Sequence, residues 1–364
     1  MNAIQLPSTT LGDVGGRSVV LAYGSVAAEY EALRTRSALF DRSLRGRIRL
    51  KGERAAEMVA GLVTNDVSGL TPGQGCYAAA LTAKGKIIAD VRVFVEEGSV
   101  LVDAPPRAAA AWAAMVKKFV NPRIAAHVDE SAALRNLGVF GPNARHVVSE
   151  LTGIPSPSLA GLAPYAHVTI AMSTHTLLVL RSADLGIEGY ELIAPTELFS
   201  DLWSRATAAG AAPAGLEAWE IARVESGRPE WGLDMDDNTI PQEANFDELH
   251  AISYTKGCYV GQETVARVHF RGHVNKHLRG ITAAEGVLDA PPYGATLHGA
   301  DGLAVGDVRS SVRSPRIGGI ALAMIRREVA AGAELTARWT PTDPDAPPFN
   351  ELVVRVSQLP FEVT

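Results

Sequence analysis

The chain has 364 residues, a net charge of −6, and 47% hydrophobic and 20% charged residues. That length exceeds one ordinary core and implies two or three domains of a soluble globular protein. No apolar run is long enough to span a bilayer, residues 1–7 lack the basic start and apolar centre of a secretory signal, and the acidic balance excludes a surface wrapped throughout in nucleic acid. Two cysteines, Cys76 and Cys258, fit a reducing compartment better than a disulfide framework, so a cytoplasmic protein is expected.

In chain order, residues 53–63 read as a helix, with Met58 and Leu62 four apart on one face. Residues 76–81, 85–95 and 99–102 read as three consecutive strands, divided by Ala83-Lys84-Gly85 and Glu96-Glu97-Gly98. Asp103 is the expected N-cap of a helix carrying Trp112, Met115, Val116 and Phe119, which Asn121-Pro122 stops. A second mixed segment starts near Leu134: a strand ending at Gly141-Pro142, a helix over 143–152, strands over 167–171, 176–181 and 189–193, and a helix after Pro195-Thr196. A further helix covers 216–226, with Gly227 as its left-handed C′ residue and Pro229 beyond. From Gly280 onward only short strand-like runs occur, such as 318–325 and 352–356, with a Pro- and Asp-rich loop over 340–350. The fold class is α+β with a small all-β C-terminal domain.

Arg267, Arg271, Lys276 and Arg279 fall in one stretch without an acid, a local anion site or a solvated basic strand edge. His269, His273 and His277 are spaced by four, but Val265, Val268 and Phe270 favour a strand. Extended, the imidazoles would lie roughly 13 Å apart, too far to share a metal ion, and no metal site is expected.

Three groups bear on chemistry. Alternation on 85–95 puts Val91, Val93 and Val95 on one face and Asp90 with Arg92 on the other. Asp90 could orient an amine or act as a general base; a same-face ion pair with Arg92 is the plainer reading. Glu191 follows a glycine-flanked turn, with Tyr190 and Leu192 on the opposite face. Its two acceptor oxygens suit the paired N–H edge of a heterocycle, although exposed strand glutamates are commoner. The octet Lys256-Gly257-Cys258-Tyr259-Val260-Gly261-Gln262-Glu263 sets a thiol two residues after a lysine. A reactive thiolate and a small buried cysteine in a tight turn both fit it. No Walker A, complete Gly-x-Gly-x-x-Gly or Gly-x-Ser-x-Gly pattern is present.

The octet follows Glu225-x-Gly227-x-Pro229-x-Trp231-Gly232-x-Asp234 and Thr239-x-Pro241-x-Glu243-Ala244, and this succession resembles the YgfZ-type folate-binding proteins. These are relatives of the glycine-cleavage T-protein (aminomethyltransferase). The resemblance implies a three-domain ring around a central folate site: residues 1–46 with 134–228, residues 47–133 with 229–276, and a C-terminal β-barrel over 277–364. It implies Glu191, Arg223, Trp231 and Lys256 as tetrahydrofolate-binding residues, Cys258 as the functional thiol, and Asp90 as the carboxylate facing the folate's reactive nitrogen. The implied role is a monomeric, folate-binding auxiliary of iron–sulfur enzymes, including tRNA-modifying ones, without membrane attachment. Direct tRNA contact is disfavoured by the net charge and by the lack of an aromatic stacking platform. The alternative is a folate-dependent aminomethyl or one-carbon transferase. Against it, the family usually shows two consecutive acids where this chain has Ala89-Asp90, so the local charge would be halved.

Overall fold

Hairpin turns at Lys84-Gly85 and Glu97-Gly98, each with its glycine at positive φ (76° and 68°), fold the first strands back on one another. In the computed structural model, which describes residues 4, 6, 8–284, 286–341 and 349–362, they form the strands Gly75–Leu81, Ile87–Glu96 and Ser99–Ala104. Gly46–Lys51 and Ala126–Asp129 complete an antiparallel five-stranded sheet. Val91, Val93 and Val95 point, as alternation requires, into a core closed by the Ala55–Ala60 and Ala109–Phe119 helices through Val59, Trp112 and Val116. The other face presents Tyr77, Phe94 and Leu101 to Leu178, Leu180 and Ile193 of a second sheet.

That second sheet has six strands, ordered His167–Met172, His175–Arg181, Gly189–Pro195, Leu134–Phe140, Ala38–Asp41 and the short Ala212–Pro213. Its outer face is covered by the Ala144–Thr152 and Phe199–Ala208 helices. Tyr190 and Leu192 lie on that side, so Glu191 is turned toward the first sheet. The C-terminal part is a closed six-stranded barrel running from Lys276–Ala283 to Asn350–Ser357. Closure leaves no free strand edge. Among the described residues no helix is long and apolar enough to cross a membrane.

Four readings from sequence need correction. The first helix is shorter, Ala55–Ala60. Asp103 is not an N-cap: it sits fully buried on a strand, its carboxylate held by arginines, and the helix starts at Ala109 without a side-chain cap. Residues 265–270 are helical, within Gln262–Arg271, because Val265 alone is anchored in the core and the rest of the segment is solvated. The basic stretch therefore runs through a helix and enters the barrel at Lys276. Residues 342–348 of the Pro- and Asp-rich loop lie outside the described residues.

One close packing fixes the octet. Gly261 starts its helix at φ 84°, and a Cβ there would collide with the Thr82 carbonyl; a Cβ on Gly85 would meet Thr264. The octet is thereby pressed against the turn that leads into the Asp90 strand.

Candidate functional site

The two sheets bring a cluster of ionised side chains between them. Arg92, 1% exposed, forms a fork on fully buried Glu191, with Nη1 donating to Oε1 at 2.6 Å and Nη2 to Oε2 at 2.9 Å. The same guanidinium donates to Asp103 at 3.1 Å and to Asp184 at 3.0 Å. Asn136 Nδ2 also donates to Glu191 Oε2, and Arg45 and Arg47 pair with Asp103. Burial alone would push the Glu191 carboxyl up, but Arg92, with Arg42 and Asn136, holds it well below the usual carboxylate range.

Asp90 does share a face with Arg92, but the two do not pair. Asp90 accepts from Tyr77 Oη at 3.1 Å and from the Trp231 backbone N–H at 3.3 Å. The Trp231 indole donates to the Ile87 carbonyl at 3.2 Å, locking its loop onto the Asp90 strand. Arg228 lies over the Tyr77 ring at 3.7 Å. Burial raises the Asp90 carboxyl, against the lowering pull of Arg45, Arg228 and these hydrogen bonds. A carboxyl raised on folding contributes its stabilisation at low pH and loses it as pH climbs from the unfolded value through the folded one. Asp90→Asn, which can keep both hydrogen bonds, is therefore expected to stabilise the protein at pH 8 by about 0.5–2 kcal/mol, with the gain vanishing near pH 4. Urea midpoints at the two pH values check this; an unchanged midpoint at pH 8 would refute it.

Ala89 corrects a second inference. It is fully buried in the valine-lined core of the opposite face. A carboxylate at 89 would point there, so its absence does not halve the charge around Asp90. The second acid beside Asp90 is Glu230, which lines the same small cavity and is raised chiefly by its burial and by Glu220. Glu230 pairs with Arg107 at 2.9 Å.

Two cavities meet at this cluster. The inner one, bordered by Asp90, Arg92, Asp184 and Arg228, measures only about 20 Å³. The outer one is about 1000 Å³, at the upper end of small-molecule sites, and shares Arg42, Arg45, Trp219 and Glu230 with the inner one. Arg42 lies over Trp219, its Cζ 3.6 Å from the ring centroid, and its Nε has no hydrogen-bond partner. Neither the size of the cavity nor Arg42 was visible in the sequence.

Arg223 borders the inner cavity, but all its donors are taken: Glu220, the Arg228 carbonyl, Asp234 at 2.7 Å and Ser310 Oγ at 2.6 Å. Lys256 lines neither cavity. Its ammonium is caged by the carbonyls of Ala60, Val63 and Asn65, and burial brings its pKa down to about 8. The cysteine near it in space is Cys76, whose thiol burial pushes up to about 12. The positive charge expected beside Cys258 is thus turned away from it. Cys258 is exposed, outside both cavities, with Gln262 Nε2 3.8 Å from its sulfur and Gln262 Oε1 accepting from the Tyr259 N–H at 2.9 Å. A thiol reagent applied to the native protein at pH 8 is expected to modify exposed Cys258 well before Cys76, whose half-buried thiol is held protonated. Equal rates by peptide mass analysis would contradict this arrangement.

His269 lies on the helix with its ring stacked on Tyr254 (centroids 3.6 Å apart), and exposed Phe270 packs edge-on against both. An aromatic cluster therefore accompanies the basic stretch, with the Tyr254 and His269 rings stacked on each other. Among the described residues no group of three or more His, Cys, Asp or Glu side chains is placed to hold a metal ion.

Residues 8–253 match the GCVT N-terminal domain family, and residues 276–352 match the CAF17 C-terminal beta-barrel domain. The chain is 31% identical over 337 residues to an aminomethyltransferase of Thermosynechococcus vestitus, covering 90% of this chain and 88% of that protein. It is 30% identical to an aminomethyltransferase of Rubrobacter xylanophilus, covering 91% and 87%. Its fold is similar to that of glycine cleavage system aminomethyltransferase T from Bartonella henselae, with a TM-score of 0.85, 21% identity, and 98% and 94% of the two chains covered.

Proposed function

The chain belongs to the GCVT N-terminal domain family, closed by a CAF17-type C-terminal β-barrel, and from that premise we propose a tetrahydrofolate-binding auxiliary protein that supports assembly or repair of iron–sulfur enzymes, including tRNA-modifying ones. The observation that carries this reading is the separation of thiol and cavity. Cys258 is exposed on the octet with an amide donor beside its sulfur, where a macromolecular client can reach it, and the outer cavity holds no cysteine.

The cavity fits a folate in size and in its donors. Arg42 offers a half-buried cation without a carboxylate partner among the described residues, and Arg45, Arg107 and Glu230 border the same space. Arg42 would meet the ligand's carboxylates or ring acceptors. Bound there, the folate would supply a one-carbon unit.

Folate-dependent aminomethyl or one-carbon transfer is the second reading. It is favoured by the raised carboxyl of Asp90, a group able to take and return a proton. Rescue of iron–sulfur enzyme activity in a deletion strain separates the two. Wild type is expected to restore it and Cys258→Ala to fail. Equal rescue would dismiss the thiol role, and formation of methylenetetrahydrofolate and ammonia from a loaded carrier protein, lost in Asp90→Asn, would establish transfer.

A further inference from the structure

The fork that Arg92 makes on Glu191 is the pair of parallel N–H donors that a heterocycle edge would have to present. The third bond to that carboxylate, from Asn136, is also internal. Arg92 is itself held from behind by Asp103 and Asp184, so swinging aside would break its bonds to two further buried acids as well as the fork on Glu191. The space beside this fork, about 20 Å³, admits roughly one water and no ring. Glu191 is thus already occupied by the protein's own side chain.

The outer cavity shows the opposite condition. Arg45 is paired with Asp103, Arg107 with Glu230 and Arg135 with Asp41, whereas Arg42 has no carboxylate partner among the described residues. The acids acting on it through space are Glu191, Glu230 and Asp184, each committed to another arginine. The Arg42 Nε–H is buried without an acceptor, and the half-buried guanidinium lines the cavity with no carboxylate against it, an arrangement suited to an anion. The Trp219 ring packs against its guanidinium, with Cζ 3.6 Å from the centroid.

We infer that this chain recognises its ligand by a carboxylate docked on Arg42 in the outer cavity, and that Arg92 permanently fills the Glu191 position which a pterin edge would otherwise take. The inference deepens the folate reading: the p-aminobenzoyl-glutamate half of the molecule, rather than the pterin, carries the affinity.

Three probes test it on the intact protein: tetrahydrofolate, p-aminobenzoyl-glutamate and 6-methyltetrahydropterin, each titrated by calorimetry. p-Aminobenzoyl-glutamate is expected to bind within about tenfold of tetrahydrofolate, and Arg42→Gln to weaken both by tenfold or more. The carboxylate-free pterin is expected not to compete. If the pterin binds as tightly as tetrahydrofolate and p-aminobenzoyl-glutamate does not bind, the inference falls while the folate reading stands. Binding of p-aminobenzoyl-glutamate without binding of tetrahydrofolate keeps the inference and removes the folate reading. Binding of neither overturns the inference. The wild-type panel decides even if Arg42→Gln fails to fold.

Discussion

Arg92→Met is expected to cost about 3–5 kcal/mol at pH 7, seen as a lowered urea midpoint with an unchanged denaturant slope. The methionine fills most of the volume, so the loss is electrostatic. Asp103 would keep Arg45 and Arg47, and Asp184 would keep Arg228 at 3.5 Å. Glu191 would keep Asn136 as its only hydrogen-bond donor, with Arg42 acting through space, and would sit ionised, fully buried and without its paired cation. The pH dependence follows from the sign of the Glu191 shift. Its carboxyl is depressed in the folded protein, so its stabilisation is complete above the unfolded value of about 4.3 and is lost as pH falls below it. In the variant the isolated carboxyl can relieve its penalty by taking up a proton. The gap between wild type and Arg92→Met should therefore narrow as pH drops from 7 toward 4. A gap under 1 kcal/mol at pH 7, or one that does not change with pH, would show that the fork is dispensable. Arg92→Lys should fall between, because an ammonium cannot span both oxygens of Glu191 and reach Asp103 as well.

The Arg92–Asp103 half of this network was legible, though unread. The two residues stand symmetrically about the Glu97-Gly98 turn, and a tight hairpin makes them direct cross-strand partners. Alternation placed Asp90 and Arg92 on one face correctly, and the same rule would have sent Ala89 into the valine core and removed the argument from a missing acid. Glu191 could not be joined to Arg92 that way. It reaches the site from a strand 99 residues later, through the stacking of two sheets that no local period encodes. The octet misled for a different reason. Lys256 and Cys258 are close in the chain, but Lys256 turns inward to three carbonyls while Cys258 stays at the surface. The helix behind them was read as a strand because β-branched Val265 and Val268, aromatic Phe270 and the break at Gly272 outweighed the four-residue spacing of the histidines. The α+β class, the two main hairpins, the Leu216–Glu225 helix with its Gly227 stop, and the β C-terminus followed from turn residues and periodicity alone.

Arg223→Met carries the second large effect, and it separates a strut from a ligand contact. The side chain is on the Leu216–Glu225 helix and reaches Asp234 beyond the Trp231 loop and Ser310 of the barrel. Asp234 is fully buried and accepts also from the Glu230 and Ser310 backbone N–H groups at 3.0 and 3.1 Å. One guanidinium thus ties the helix, the loop that positions Asp90, and the barrel. Removing it strands a buried carboxylate on two neutral donors, and a loss of about 3–5 kcal/mol is expected. Glu220→Gln deletes only the partly exposed partner, 22% accessible, and should cost about 1 kcal/mol or less. Neutralising the stranded acid as well, in Arg223→Met/Asp234→Asn, should recover a large part of the loss, which a double-mutant cycle reads directly. Tetrahydrofolate affinity supplies the contrast. A strut leaves the affinity of the folded fraction within a few-fold of wild type, since every Arg223 donor is already spent inside the protein. A tenfold fall in affinity with little change in the urea midpoint would make Arg223 a ligand contact instead, and would require Glu220 and Asp234 to release it when the cavity fills.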